Sequence, residues 1–254
     1  MMSQTTRNST LMIMALFMLQ PMAFGSWLAM IPFIKSSLEL SKANLALALL
    51  GLPVSLIPTL PLASRVVAKI GPRKTFAFLL PIQTIVVLLP FLTSGIGGLF
   101  MALALFGVVT AFLEVALNTY AGRLEKSANL MIMSRCHGFW ALGVMIGSLL
   151  VTALFGLGPI LAVFLICAVS GGVGIWVGLS LPRLMGEDDS VSVKPQRLCE
   201  MPKALFLISL FVFAVTLAEG AMSDWAAVYL AERWGGGTED TGIAVSIFAG
   251  FLAL

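Results

Sequence analysis

Charged residues are missing from long stretches of this chain, and that absence constrains the fold more than any other feature. None lies between Arg7 and Lys35, between Lys42 and Arg65, between Lys74 and Glu114, or between Arg135 and Arg183. A helix needs about 20 mostly apolar residues to cross a bilayer core of about 30 Å. The first two runs each fit one crossing, near 11–34 and 44–64. The third is too long for one helix, and Thr93-Ser94-Gly95-Ile96-Gly97-Gly98 breaks it as turn residues do, giving spans near 75–93 and 99–121. Gly156-Leu157-Gly158-Pro159 splits the fourth into spans near 138–156 and 160–181. A polar stretch, Pro182 to Lys203, precedes a seventh span near 204–231. The last apolar segment, Gly242 to Leu254, is 13 residues long and reaches only about 20 Å.

Composition agrees. Of 254 residues 59% are hydrophobic and only 11% charged, against about 25% in a soluble domain. Such a chain cannot present a wetted exterior, which disfavours a soluble enzyme, a nucleic-acid-binding module and a disordered chain. The net charge of +3 is too small to imply a nucleic-acid partner. The partner implied is the lipid bilayer. Cys136, Cys167 and Cys199 have no metal or disulfide spacing, and His137 stands alone, so no metal or cofactor is expected. The apolar run from Asn8 to Ile34 is too long for a signal-peptide core.

The basic residues sort by side. Twelve of 15 fall at the N-terminus and in the 2–3, 4–5 and 6–7 loops; Lys35, Lys42 and Arg233 fall opposite. The positive-inside rule places the N-terminus in the cytoplasm. The organisation expected is an all-α membrane protein: a six-helix bundle over 1–181, a cytoplasmic linker over 182–203, and the start of a second bundle over 204–254.

Spans 1 and 7 resemble each other. Gly25-Ser26-Trp27 and Ser223-Asp224-Trp225 each lead into an apolar exit and an outer loop, and the next apolar run begins 17 or 18 residues after the Trp. A parallel repeat of two six-helix halves is one plan of secondary transporters, while any helix pair with an interfacial Trp has some of this pattern.

Several segments carry a family resemblance: Phe24-Gly25-Ser26-Trp27, the 2–3 loop, Phe112-Leu113-Glu114-Val115-Ala116-Leu117-Asn118, His137-Gly138-Phe139-Trp140-Ala141-Leu142-Gly143, and Glu219-Gly220-Ala221-Met222-Ser223-Asp224-Trp225. Through them the chain resembles the major facilitator superfamily, in its fucose-permease-like branch. The resemblance implies two bundles, alternating access and a gating loop between spans 2 and 3. Lys69, Gly71, Arg73 and Lys74 match the latter half of that loop's motif, with Arg65 alongside; Ser64 and Ala68 replace its Gly and Asp. The missing Asp implies a weaker latch or a different one. Span 1 also lacks the proton-linked acid of the fucose permease, which argues against fucose as substrate.

Four places could carry chemistry. Glu114 lies within span 4, about 7 residues from its cytoplasmic end, with Asn118 four residues on along the same face. A carboxylate there costs about 2.5–3.5 kcal/mol unless it faces a cavity or is protonated. It reads as a proton- or hydroxyl-binding group, or as an interhelical hydrogen bond. Glu219 in span 7 reads as a second cavity acid or as a packing group. Gln20, Phe24, Trp27 and Ile31 form one stripe of span 1. Gln20 and Trp27 could hold a polyol by hydrogen bonding and stacking, or Trp27 could sit in an interfacial belt. Gly143 and Gly147, and Gly174 and Gly178, are spaced for close helix contacts.

The function expected is secondary transport of a small polar solute, sugar-like or another metabolite, coupled to protons. A membrane-embedded enzyme would need a nucleophile–base or metal constellation inside the spans, and none is visible. The remaining rival is a truncated, non-transporting fragment or half-length partner of such a permease. The sequence carries no signal for oligomeric state.

Overall fold

The computed structural model describes residues 4–184, 202–234 and 240–253. It contains seven helical segments long and apolar enough to cross a membrane, and one shorter apolar helix. Span 1 is two helices, α1 (Gln4–Leu19) and α2 (Met22–Ser37). The break falls at Gln20–Pro21, where proline removes a backbone donor. Span 2 consists of α3 (Lys42–Leu49) and α4 (Gly51–Ile70), and Ser41 caps it by accepting from the Asn44 amide at 3.1 Å. Next come α5 (Pro72–Val86), α6 (Ile96–Ala128), α7 (Met133–Ala153), α8 (Pro159–Ser180), α9 (Lys203–Trp234) and α10 (Thr241–Leu252). The chain reverses at both predicted turns, through short 3-10 segments Leu89–Leu92 and Phe155–Leu157. Most of the linker expected over 182–203, including Glu187, Asp188 and Asp189, lies outside the described residues.

The helices overrun the boundaries that charge suggested. Arg123, Glu125 and Lys126 lie inside α6, which stops only at Asn129, a left-handed residue with φ 51°. Long charged side chains are good helix formers, so a helix leaving the apolar layer need not stop at the first charge. The same effect shrinks the 2–3 loop. Arg65 and Lys69 end α4, Arg73 and Lys74 open α5, and the turn between them is Gly71 alone at φ +84°. Glycine takes that angle without strain.

Close contacts hold α1 and α2 to α7. A side chain at Gly143 would collide with the Met18 carbonyl, at Gly147 with that of Met22, and at Gly25 with that of Val144. Ser26 Oγ donates to the Met22 carbonyl at 2.8 Å and to the Gly147 carbonyl at 3.2 Å, which stitches the contact. Gly174 and Gly178 play a milder part against Leu80 and Phe76 of α5. In lipid, where apolar contact alone gives little preference between neighbours, such backbone approach drives helix association.

Two connections fix the end of the molecule that carries the α4–α5 turn. Arg73 donates to the Leu179 carbonyl at 2.6 Å, capping α8, and Tyr120 of α6 donates to the Pro182 carbonyl at 3.0 Å. Glu125 Oε1 accepts from the Ile132 and Met133 amides at 2.6 and 2.8 Å, capping the start of α7.

Candidate functional site

Glu114 sits near the middle of α6, 14 residues before its end at Ala128, roughly 21 Å along the axis. The sequence placed it about 7 residues from the end. The difference is the charged extension of α6 beyond the apolar layer; within that layer the carboxylate still lies about 7 residues from the edge. There a carboxylate requires a donor, and α7 supplies one: Trp140 Nε1 donates to Glu114 Oε1 at 2.9 Å. The second oxygen has no hydrogen-bond partner among the described residues.

The indole belongs to an aromatic layer. Phe24 of α2 lies 6.1 Å from the Trp140 ring and 6.4 Å from that of Phe106 on α6, centroid to centroid. Three helices thus meet around one acid, with mutually tilted aromatic rings beside a carboxylate that has one oxygen without a partner among the described residues. Such a ring can stack against a sugar or base ring while the oxygen accepts from a hydroxyl or holds a proton. Asn118 shares the face but turns back along the helix: its Nδ2 donates to the Glu114 backbone carbonyl at 2.9 Å. It leaves the carboxylate untouched and keeps its own Oδ1 free of any partner among the described residues.

The other predicted residues are spread apart. Trp27 is 1% exposed, edge-on to Phe91 at 6.4 Å, so it lies in the core and not in an interfacial belt. Gln20 is 3% exposed at the break of span 1, with Oε1 buried and without a partner among the described residues. Glu219 of α9 is half-buried and makes no hydrogen bond or ion pair among the described residues. Of the 2–3 loop set, Arg73 is engaged on α8, while Arg65, Lys69 and Lys74 are exposed around the Gly71 turn. An apolar groove of about 370 Å³ between α7 and α10, lined by Met145, Leu149, Ile243 and Phe251 among others, includes none of these residues.

Sequence reasoning missed the role of Trp140. It had quoted the residue only as part of a motif. The usable signal was chemical: an indole N–H inside a span needs an acceptor, and Glu114 is the one acid within the apolar cores of the first six spans.

The comparisons agree with this architecture. The family model of the Major Facilitator Superfamily matches residues 12–254. The chain belongs to that superfamily of membrane transporters. Among curated relatives it is similar to an uncharacterized MFS-type transporter of Yersinia pestis, 27% identical over 92% of this chain and 60% of the relative. It is also similar to an uncharacterized transporter of Sinorhizobium fredii, 28% identical over 93% of this chain and 62% of the relative. The chain therefore spans about three fifths of the length of these relatives. Among solved structures it resembles a mutant form of the nucleoside transporter NupG, with TM-score 0.71, 14% identity, and coverage of 95% of this chain and 64% of that one. A second NupG structure matches with TM-score 0.67 and 13% identity over 96% of this chain and 63% of that one. At that identity the likeness shows the fold alone.

Proposed function

We propose that this chain carries the first half, and part of the second, of a proton-coupled transporter that moves a small polar solute by alternating access. The N-terminus and the α4–α5 turn face the cytoplasm, as the positive-inside count supports. Residues 1–181 act as one bundle, 182–203 as the linker and 204–254 as the opening of the second bundle. The observation that carries the reading is the half-satisfied Glu114 carboxylate, held within the fourth span by Trp140 beside the Phe24 and Phe106 rings. Glu114 binds the coupling proton or a substrate hydroxyl, and Phe24 and Trp140 stack against the solute's ring. Sugars are the first candidates by this chemistry, and nucleosides the next, given the neighbour's fold. Gln20, Asn118 and Glu219 are secondary candidates for the same cavity.

The test is uptake into proteoliposomes of labelled sugars and nucleosides, with and without an inward proton gradient. Gradient-driven uptake that Glu114→Gln removes supports the reading. Uptake by Glu114→Gln with unchanged rate and pH dependence overturns it. A second reading has its own support: the most apolar window of α9 is unburied throughout. On that reading the chain transports only when further helices cover α9. Co-expression with helices of a homologous second half separates the two, since only the second reading requires them.

A further inference from the structure

Opposite the Gly71 turn, the molecule is closed by a single carboxylate. Glu232, in the last turn of α9, accepts from Lys35 Nζ through Oε1 at 3.0 Å and from Lys42 Nζ through Oε2 at 2.7 Å. Lys35 lies in the last turn of α2, and Lys42 opens α3. Each oxygen thus takes one ammonium, and three helix ends are joined across the boundary between the first six spans and the seventh. The Lys35 and Glu232 side chains are 23% and 31% exposed and that of Lys42 is 68% exposed, so salt screens the Lys42 arm more than the Lys35 arm. Glu39 lies between the two lysines in sequence yet forms no ion pair among the described residues. The lysines reach across to α9 instead of to the nearest acid.

Other contacts at the same end point the same way. Ala227 and Val228 of α9 are buried. Thr241 Oγ1 donates to the Ala29 carbonyl at 2.8 Å, and the Ser148 and Ser246 hydroxyls are 2.7 Å apart. A side chain at Gly242 would collide with Ser148 and Thr152 of α7. Towards its other end α9 is bare: from Lys203 to Met222 every residue but the half-buried Glu219 is exposed. Contact between α9 and the first six spans is therefore confined to the end bearing the ion triad.

We propose that Lys35, Lys42 and Glu232 form the latch of the extracellular gate, the triad that must part before that end can admit or release solute. This rests on the transporter reading and its orientation, and supplies a gate on the side opposite the superfamily loop whose Asp is Ala68 here. Removing the carboxylate leaves two unpaired cations facing each other and shifts the population towards an outward-open form.

The test is thiol accessibility in intact cells. Cys136, Cys167 and Cys199 are first replaced by alanine, and Ala227→Cys is introduced beneath the latch. A membrane-impermeant maleimide should label this cysteine slowly with the triad intact. Glu232→Gln, or Lys35→Met with Lys42→Met, should raise the rate by roughly fivefold or more. The reversed triad, Lys35→Glu and Lys42→Glu with Glu232→Lys, should bring it back down. Ala116→Cys, 0% exposed inside the first bundle, reports unfolding and should stay unlabelled. An unchanged rate in Glu232→Gln overturns the proposal. If Ala116→Cys also labels, the reversed triad decides: restored protection supports the latch, and persistent labelling overturns it. Labelling needs no transport, so a latch that behaves as described while uptake fails even with a co-expressed second half overturns the transporter reading and not the latch.

Discussion

Spans 1 and 7 share a sequence pattern and differ in their surroundings. Both carry a small residue and a Trp near the same end, and both bear one polar residue near mid-span, Gln20 in one and Glu219 in the other. Yet 67% of the most apolar window of span 1 is buried, against none for span 7. Trp27 is enclosed, whereas Trp225 packs on the core from its edge. Burial here is a property of neighbours and not of the pattern. Span 1 has α6, α7 and α8 around it; α9 meets α2 and α10. A polar side chain is therefore enclosed in one span, at Gln20, and only half-buried in the other, at Glu219.

The comparison can be broken where span 1 is tightest. Gly147→Leu drives a side chain into the Met22 carbonyl and should destabilise by at least about 3 kcal/mol; loss of the monodisperse peak in detergent would show it. Trp27→Ala should cost about 3 kcal/mol and Trp225→Ala about a third of that, as thermal-shift midpoints would rank them. Equal shifts would mean that the two spans are equally enclosed. Glu114→Gln should reduce proton-driven uptake roughly tenfold with the midpoint unchanged, whereas Glu219→Gln should reduce it less than about twofold. Trp140→Phe keeps the aromatic layer and removes the donor to Glu114, for about 1 kcal/mol in the midpoint and an altered pH dependence of uptake. Phe211→Ala on the bare face of α9 should move the midpoint by no more than about 0.5 kcal/mol.

Much of this was legible in the order of residues because the bilayer is an unforgiving solvent. Charges are excluded from its core, so the gaps between Arg7 and Lys35 or between Arg135 and Arg183 map directly onto crossings. Helix ends were less legible. Arg123 to Lys126 stand outside the apolar layer, where either a helix or a loop satisfies the physics. The Glu114–Trp140 bond was hidden because it joins residues 26 apart on two helices, and helix rotation follows from packing rather than from apolar content. Trp27 shows the same limit. Belt and core positions both suit an indole, and only the neighbours decide.

The break at Gln20–Pro21 has a mechanical consequence. Only α2, the half beyond the break, touches α9 and α10, and only α2 carries Lys35 of the triad. The half before it, α1, leans on α6, α7 and α8. Span 1 is thus a jointed lever rather than a rod. Both arms rest on α7, whose Gly143 and Gly147 admit the carbonyls of Met18 and Met22, one on each side of Pro21. The joint lies one helical turn from Phe24, so the ring beside Trp140 shares its arm with Lys35 of the triad.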